Sequence, residues 1–546
     1  MIGKFRGDKS TTRSIFYGAS LSRHLLRASR ESARLRTPID AALTERRCDD
    51  GASVMARDDD DRGSDALGSH GPGRRLGGNT LEPMPTTYKI DYLHQPDGWL
   101  SPGYLEVDDH GVIARVSGDP AATGDVLTLE GFGIPGLSNL HSHAFQRALV
   151  GRTEYVAGER AVDNLWTWRE QMYRLVDRLT PEDCEAIGSL VYLEMLQFGF
   201  TSVCEFHYVH HRPGGGTYDN PAEMSDRLIA AADRTGIGLT MLPVLYERGG
   251  IGKPLENTQR RFAHSLDEYL ALVERVRAHC TSRPTLRVGA ALHSLRAVEP
   301  RAVLTAAADL RASDPHVRLH IHVSETTQEV DAVQAELGAR PVQWLLDNAG
   351  LDENWCLVHA THLDASELAG AAASGAVAGL CPVTEATLGD GIFSLVDYHA
   401  AKGRWGIGTD SQSSTSIAEE LKMLECGKRL ELRRRNVIAV PENGQESHTG
   451  RVLFDSALAG GEQASGQGGG ALVPGRRADL VILDSDTNPL LGHGPRTALD
   501  AWILGGTQNP VRHVMVAGKW VVYDRQHPEE AAIRAAYLRS MARLKD

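Results

Sequence analysis

The chain has 546 residues, 41% of them hydrophobic, which points to more than one domain with a sizeable core and excludes a wholly disordered polypeptide. Its net charge of −13 argues against the basic face of a nucleic-acid binder, and no run approaches the roughly 18 consecutive apolar residues of a membrane-spanning helix. Seven scattered cysteines (Cys48, Cys184, Cys204, Cys280, Cys356, Cys381 and Cys426) form no CxxC pair, which speaks against a disulfide framework or a thiolate zinc site and fits a reducing, cytoplasmic compartment.

Residues 1–36 carry nine Lys or Arg against two acids, and a polar, Gly-rich stretch follows with the run Asp58 to Asp61. Such a composition buries too little apolar surface to offset its ordering entropy, so residues 1–84 are expected to form a disordered extension. The Arg- and Ser-rich start superficially resembles a transit peptide, and Met55 and Met84 are alternative starts. From Tyr88 the segments YKIDYL, GWLSPGYLEV, GVIARV and DVLTLEG read as short antiparallel strands. Residues 85–130 are expected to form the first part of a small β-sandwich, completed by residues 436–530, where GRRADLVILD and VRHVMVAGKWVVYD return to the same pattern. The stretch GGEQASGQGGG, from Gly460 to Gly470, reads as a loop, and residues 531–546 as a terminal helix or tail.

The middle, residues 131–435, alternates apolar runs with amphipathic segments. Eight runs stand out: GIPGLSNLHSH, TSVCEFHYV, GLTMLPVLYE, LRVGAALHSLR, VRLHIHVSE, WCLVHATHL, AVAGLCPV and RWGIGTDSQ. Thr180 before Pro181 and two acids, and EPRAVLTAAADL from Glu299, mark helix starts between them. The predicted fold class is therefore α/β, a (β/α)8 TIM-like barrel joined to a small β-sandwich built from both ends of the chain.

In such a barrel chemistry gathers at the C-terminal strand ends, and the polar residues of this chain sit there. His141 and His143 alternate onto one face of the first strand, about 7 Å apart along the backbone, close enough to share one metal ion. The fifth run contributes His320, His322 and Glu325, the sixth His359, and the eighth Asp410. Three neutral imidazoles and a carboxylate suit Zn2+ or another borderline divalent ion with a position left open for water. His320 and His322 share a face, so either can be the third ligand; His322 lies nearer the strand end. His210, His211 and His362 read as solvated or supporting residues.

The motifs PGLSNLHSHAFQRAL, LWTWREQMYRL, EFHYVHH, HSLRAV, HVSE and GTDS resemble the amidohydrolase superfamily, over about residues 88–525, and within it the formimidoylglutamate deiminases of bacterial histidine breakdown. The resemblance implies metal ligands His141, His143, His322 and Asp410, an acid-base residue Glu325, and His359 against the hydrolytic water. It implies substrate contacts from Gln146, Arg169, Tyr208, His293 and Arg296. Many superfamily members bridge two metals with a carboxylated lysine, but the only lysine between Gln146 and His322 is Lys253, in a loop-like segment, so one divalent ion, Zn2+, is expected. The implied reaction is hydrolysis of N-formimidoyl-L-glutamate to N-formyl-L-glutamate and ammonia, with Asp410 and His359 orienting water and Glu325 delivering a proton to the departing nitrogen. Guanidinium groups suit the two carboxylates of that substrate.

Two other readings compete. A related deaminase acting on an aromatic ring, of guanine or pterin type, would use nearly the same ligands but an aromatic, amide-lined pocket. An inactive binding homologue would have lost a ligand or the acid-base residue, and none is lost here. The expected partners are a small anionic substrate and a second copy in a homodimer, with neither nucleic acid nor membrane.

Overall fold

The computed structural model describes residues 87–120, 126–156, 163–441 and 444–545. The disordered extension expected over residues 1–84 lies outside them. Five strands open the described chain: β1 (Thr87–Gln95), β2 (Gly98–Leu100), β3 (Gly103–Val107), β4 (Ile113–Ser117) and β5 (Val126–Pro135). Nine follow, interleaved with helices: β6 (Leu137–Ser142), β7 (Phe200–His207), β8 (Gly238–Leu245), β9 (Leu286–Val288), β10 (Ala290–Leu292), β11 (Leu319–Val323), β12 (Trp355–His359), β13 (Val377–Leu380) and β14 (Arg404–Ile407). Three return near the end: β15 (Leu480–Leu483), β16 (Val511–Val516) and β17 (Lys519–Val522).

The strands from the two ends form one mixed sheet, in the order β17-β16-β15-β5-β1-β3-β4, with β2 beside β1. Alternation explains its two faces. In β15, Leu480 and Ile482 join Ile90, Leu105 and Met515 in a small core, while Val481 and Leu483 point the other way into the main core. The expected sandwich is thus a single hydrogen-bonded sheet, and one of its pairs departs from the antiparallel reading, since β1 and β5 run parallel. The reason is continuity. β5 must run in the direction that carries it through the single residue Gly136 into β6, and a Cβ at Gly136 would lie 2.1 Å from the Thr201 side chain.

The nine middle strands pair in parallel as a near-closed barrel sheet, in the order β14-β13-β12-β11-β10-β8-β7-β6, with β9 also on β8. All eight predicted runs are strands of this sheet, the fourth broken into β9 and β10. The first predicted helix start is also observed: Thr180 caps the helix Pro181–Gln197, and the Asp183 carboxylate accepts from the Thr180 N–H at 2.9 Å. The second opens the helix Pro300–Ser313.

The glycine-rich stretch departs from the loop reading in its first half, because residues 460–465 belong to the helix Thr449–Ser465, while residues 466–470 lie outside any helix or strand. Its glycines serve close approach. A Cβ at Gly460 would lie 1.9 Å from the Trp405 carbonyl oxygen, and one at Gly461 2.6 Å from that of Ser138. The helix ends under the N-terminal ends of the strands, where the Ser465 carbonyl accepts from Thr240 Oγ1 at 2.8 Å and the Ala464 carbonyl from His320 Nε2 at 3.1 Å. The second part of the terminal sheet accordingly begins at Leu480 and not near residue 436. The chain closes with the helix Glu530–Arg543.

Candidate active site

Four donor atoms converge at the C-terminal end of the barrel sheet. His322 Nε2, from β11, stands 3.1 Å from Nε2 of His141, from β6. Asp410 Oδ1, just beyond β14, is 3.5 Å from His141 Nε2 and 3.4 Å from His143 Nε2. Depth in the barrel resolves the choice that alternation leaves open, since His320 lies a layer lower and bonds Ala464 at the floor. His322 is the member of the cluster.

Burial keeps these imidazoles neutral. It pushes His141 and His322 well below the ordinary histidine range, and burial with the neighbouring His141 pushes His143 to about 3. The Nδ1–H of His143 donates to the Phe206 carbonyl at 2.7 Å, which leaves its Nε2 as a lone pair facing the cluster. Two nitrogens 3.1 Å apart can share only one hydrogen, yet a third nitrogen and a carboxylate oxygen face the same point. Such a cluster is able to hold a divalent cation: His141, His143 and His322 bring one nitrogen each within 4.8 Å of one another, as do His141 and His359 with an Asp410 oxygen. Lys253 is exposed in the loop after β8, away from the cluster.

His359 ends β12 beside this set. Its Nε2 is 3.8 Å from Glu325 Oε1 and 3.8 Å from Asp410 Oδ2, and its Nδ1 3.3 Å from Glu385 Oε1. Burial opposes its charge, but Glu325, Glu385 and Asp410 outweigh burial and lift it to about 10. Backbone strain concentrates here: Ser324, His359, Ala360, Asp410 and Gln412 all take left-handed φ angles, between 44° and 68°.

Beyond the cluster opens a cleft whose empty space, open solvent at its mouth included, is about 540 Å³. Every residue proposed for the site lines it except His141, which lies beneath. Gln146, on the 3-10 turn Ala144–Leu149, donates to the Tyr208 hydroxyl at 2.9 Å. Arg169 comes from the helix Leu165–Val176, whose start is fixed by an Asn164 cap, and donates to the Tyr173 hydroxyl. His293 and Arg296 follow β10, and burial together with Arg296 and Arg169 holds His293 well below its ordinary range. Arg296 is the informative side chain: it is buried, and its Nε and Nη1 have no protein partner. The guanidinium groups of Arg169 and Arg296 each lie 5.1 Å from the Trp166 ring, which brings two cations together on one aromatic platform.

Sequence reasoning missed several contributors. Tyr173 and Tyr246, which line the cavity, and Trp166, under the two arginines, had nothing in their spacing to place them there. Glu385 could have been flagged as an acid just beyond the seventh strand. His210 and His211 are buried, not solvated, donating from Nε2 to the carbonyls of Val244 and Ala263. His362 is partly buried and donates to the Asp390 carbonyl at 2.7 Å.

His210 and His211 pack with His264, whose pKa burial and the neighbouring His211 lower to about 4. An unfolded His264 takes up a proton near pH 6.5, whereas the folded one resists it, so this site's contribution is intact above about pH 6.5 and lost as pH falls toward 4. The melting-temperature gap between wild type and His264→Gln should therefore narrow on acidification from pH 7.5 to 4.5 in chelator-treated protein. A constant gap would remove the linkage.

A profile of the amidohydrolase family matches residues 132–521, most of the chain. The chain belongs to the amidohydrolase family. It is 47% identical over 452 residues to formimidoylglutamate deiminase of Pseudomonas aeruginosa, covering 83% of this chain and 98% of that protein. It is 29% identical over 454 residues to 5-methylthioadenosine/S-adenosylhomocysteine deaminase of Natronomonas pharaonis, covering 82% and 92%. The crystal structure of an amidohydrolase from Brucella melitensis superposes with a TM-score of 0.79 at 38% identity, covering 84% of this chain and 99% of that one. A buried cluster able to hold a divalent metal, on a near-closed barrel of this family, is the frame of a metal-dependent hydrolase.

Proposed function

We propose that the chain hydrolyses N-formimidoyl-L-glutamate to N-formyl-L-glutamate and ammonia in histidine degradation, on a (β/α)8 barrel holding one Zn2+ through His141, His143, His322 and Asp410. Bound there, such an ion supplies Lewis acidity, which makes hydroxide available near neutral pH. The observation that carries the substrate is the buried guanidinium of Arg296, its Nε and Nη1 without a hydrogen-bond partner, on the same Trp166 ring as Arg169. Two neighbouring guanidinium groups suit an acyclic dianion, and the likeness to a named formimidoylglutamate deiminase supports the same reading.

The residues then divide the work. Arg169 and Arg296 bind the two carboxylates, and Gln146, Tyr208 and His293 fix the glutamyl portion. His359, held protonated by the carboxylates around it, orients the water, and Asp410 accepts its proton. Water adds to the formimidoyl carbon while Glu325 protonates the terminal nitrogen. The proton taken from the water then reaches the same nitrogen while the hydroxyl proton of the adduct returns to Glu325 as the carbonyl forms; the bond to that nitrogen breaks, ammonia leaves, and the link to glutamate is kept.

One observation favours a second reading. Trp168, Tyr173, Tyr208, Tyr246 and Phe262 line the cavity, as a ring-binding deaminase would require. Ammonia release by the purified protein should be fast with formimidoylglutamate and absent with guanine, pterins and 5-methylthioadenosine; the opposite order would establish ring deamination. Within the proposal, Arg296→Met should raise KM by at least about tenfold with a smaller fall in kcat, because remote binding also positions the amidine. Unchanged kinetics would remove the carboxylate role. The proposed setting is cytoplasmic, with a small anionic substrate and a homodimer, and without nucleic acid or membrane. No helix among the described residues is long and apolar enough to cross a membrane.

A further inference from the structure

The barrel sheet has one thin seam, and it runs through the donor cluster. Between β14 and β6 the pairing is a single parallel bridge, Ser142 with Asp410. Backbone bonds from the Thr409 and Asp410 N–H groups to the His141 carbonyl, and from the His143 N–H to the Asp410 carbonyl, add to it, each at 3.0 Å. The segments carrying three of the four donors therefore meet where the ladder is weakest.

A chain of buried polar side chains crosses this seam. Glu205, on β7, accepts from Ser142 Oγ at 2.6 Å and from the Ala144 N–H at 2.8 Å, so one carboxylate grips the residues on both sides of His143. Ser142 Oγ accepts from Gln412 Nε2 at 3.0 Å, and the same Nε2 donates to the Asp410 carbonyl at 2.7 Å. Gln412 Oε1 accepts from Thr409 Oγ1 at 2.7 Å, and Thr409 Oγ1 accepts in turn from Asn139 Nδ2 at 2.7 Å. Asn139 Oδ1 closes the chain by accepting from the His141 and Thr409 N–H groups, both at 3.2 Å.

Asn139, Ser142, Glu205, Thr409 and Gln412 are each fully buried, and none lines the cavity. They cannot touch a substrate. A buried carboxylate is costly unless hydrogen-bonded, and here its bonds go to the histidine-bearing turn, whose partners Asp410 and Gln412 also hold left-handed φ angles of 44° and 65°. We infer that Glu205 and Gln412 are positioning residues that hold His141, His143 and Asp410 at metal-ligating separations across the seam. The inference rests on the metal reading above and adds residues which that reading leaves without a role.

The test is the rate at which full-length, Zn2+-loaded protein loses the ion to a chromogenic chelator. In Glu205→Gln the amide has one acceptor oxygen, so its NH2 either opposes the Ala144 N–H or forces the Ser142 hydroxyl to turn its hydrogen away and accept instead. Gln412→Met removes its bond to Ser142 across the seam together with its bonds to Asp410 and Thr409 on its own side. Each variant should release Zn2+ about 10–100-fold faster than wild type, the usual effect of removing a partner that orients metal ligands, with KM within about twofold. Release at the wild-type rate by both variants would overturn the positioning role. A wild type that retains no Zn2+ would overturn the metal reading itself and this inference with it. If Glu205→Gln gives no folded protein, Gln412→Met and Ser142→Ala carry the same test without removing a buried charge. His264→Gln, a substitution away from the seam, should lower the melting temperature and leave the release rate unchanged, which separates positioning from general loss of stability.

Discussion

Glu325→Gln is expected to lower kcat by about 10²–10⁴-fold while KM stays within a few-fold, the loss typical of a general acid-base group. Glu325 is buried at the cavity wall, with one carboxylate oxygen 3.8 Å from His359 Nε2. Its backbone N–H is tied to Glu329 Oε2 at 3.1 Å, so the replacement side chain starts from the same anchored position. Glutamine keeps size and hydrogen-bonding reach but cannot move a proton, and it leaves the four donor atoms untouched. Metal content and melting temperature should therefore match wild type. If kcat remained within a few-fold, proton delivery would belong elsewhere, with His359 the next candidate by position.

Removal of the metal should abolish activity, and metal analysis of active protein should find close to one equivalent per chain. The donors fall in overlapping triads that share His141, and Lys253, the one lysine between Gln146 and His322, is exposed in a loop. Zn2+ should restore activity in proportion to occupancy. Apoprotein should also melt lower, since a ligand bound only by the folded state stabilises it by mass action. Two tightly held equivalents, both required for turnover, would contradict the single-ion reading.

Much of this arrangement was legible because it follows the periodicity of strands. His141 and His143 share a face by alternation, and the same rule left His320 and His322 equivalent until depth in the barrel separated them. Alternation specifies a face but not a layer. The glycine-rich stretch from Gly460 misled for a related reason: composition suggests freedom, whereas Gly460 and Gly461 are required by contact with the backbone of β14 and β6, a tertiary fact with no local signature. Direction within the terminal sheet was equally hidden, because YKIDYL and DVLTLEG carry the same pattern whether paired parallel or antiparallel. Glu205 escaped notice because an acid within a strand reads as a surface residue unless its partners are known. Arg169 and Arg296 were identified through motif likeness; their meeting on Trp166 depends on loops whose geometry no period encodes.

The run from β5 through Gly136 into β6 has a consequence for the order in which the molecule is made. β5 is bordered on one side by β15, with Ile134 opposite Val481, and the floor under β6 is supplied by the helix Thr449–Ser465. The strand that carries His141 thus waits for segments more than 300 residues downstream before either of these neighbours exists. Pairings so distant in sequence are slow to form, because a long loop must close before any contact rewards it. A nascent chain halted before residue 449 would leave both the outer edge of β5 and the underside of β6 bare. Such intermediates expose unpaired strand edges and apolar surface to other chains. Completion of the last hundred residues is then a condition for the first strand of the barrel to reach its final surroundings, and ribosome-bound fragments of increasing length should gain protease resistance late and abruptly.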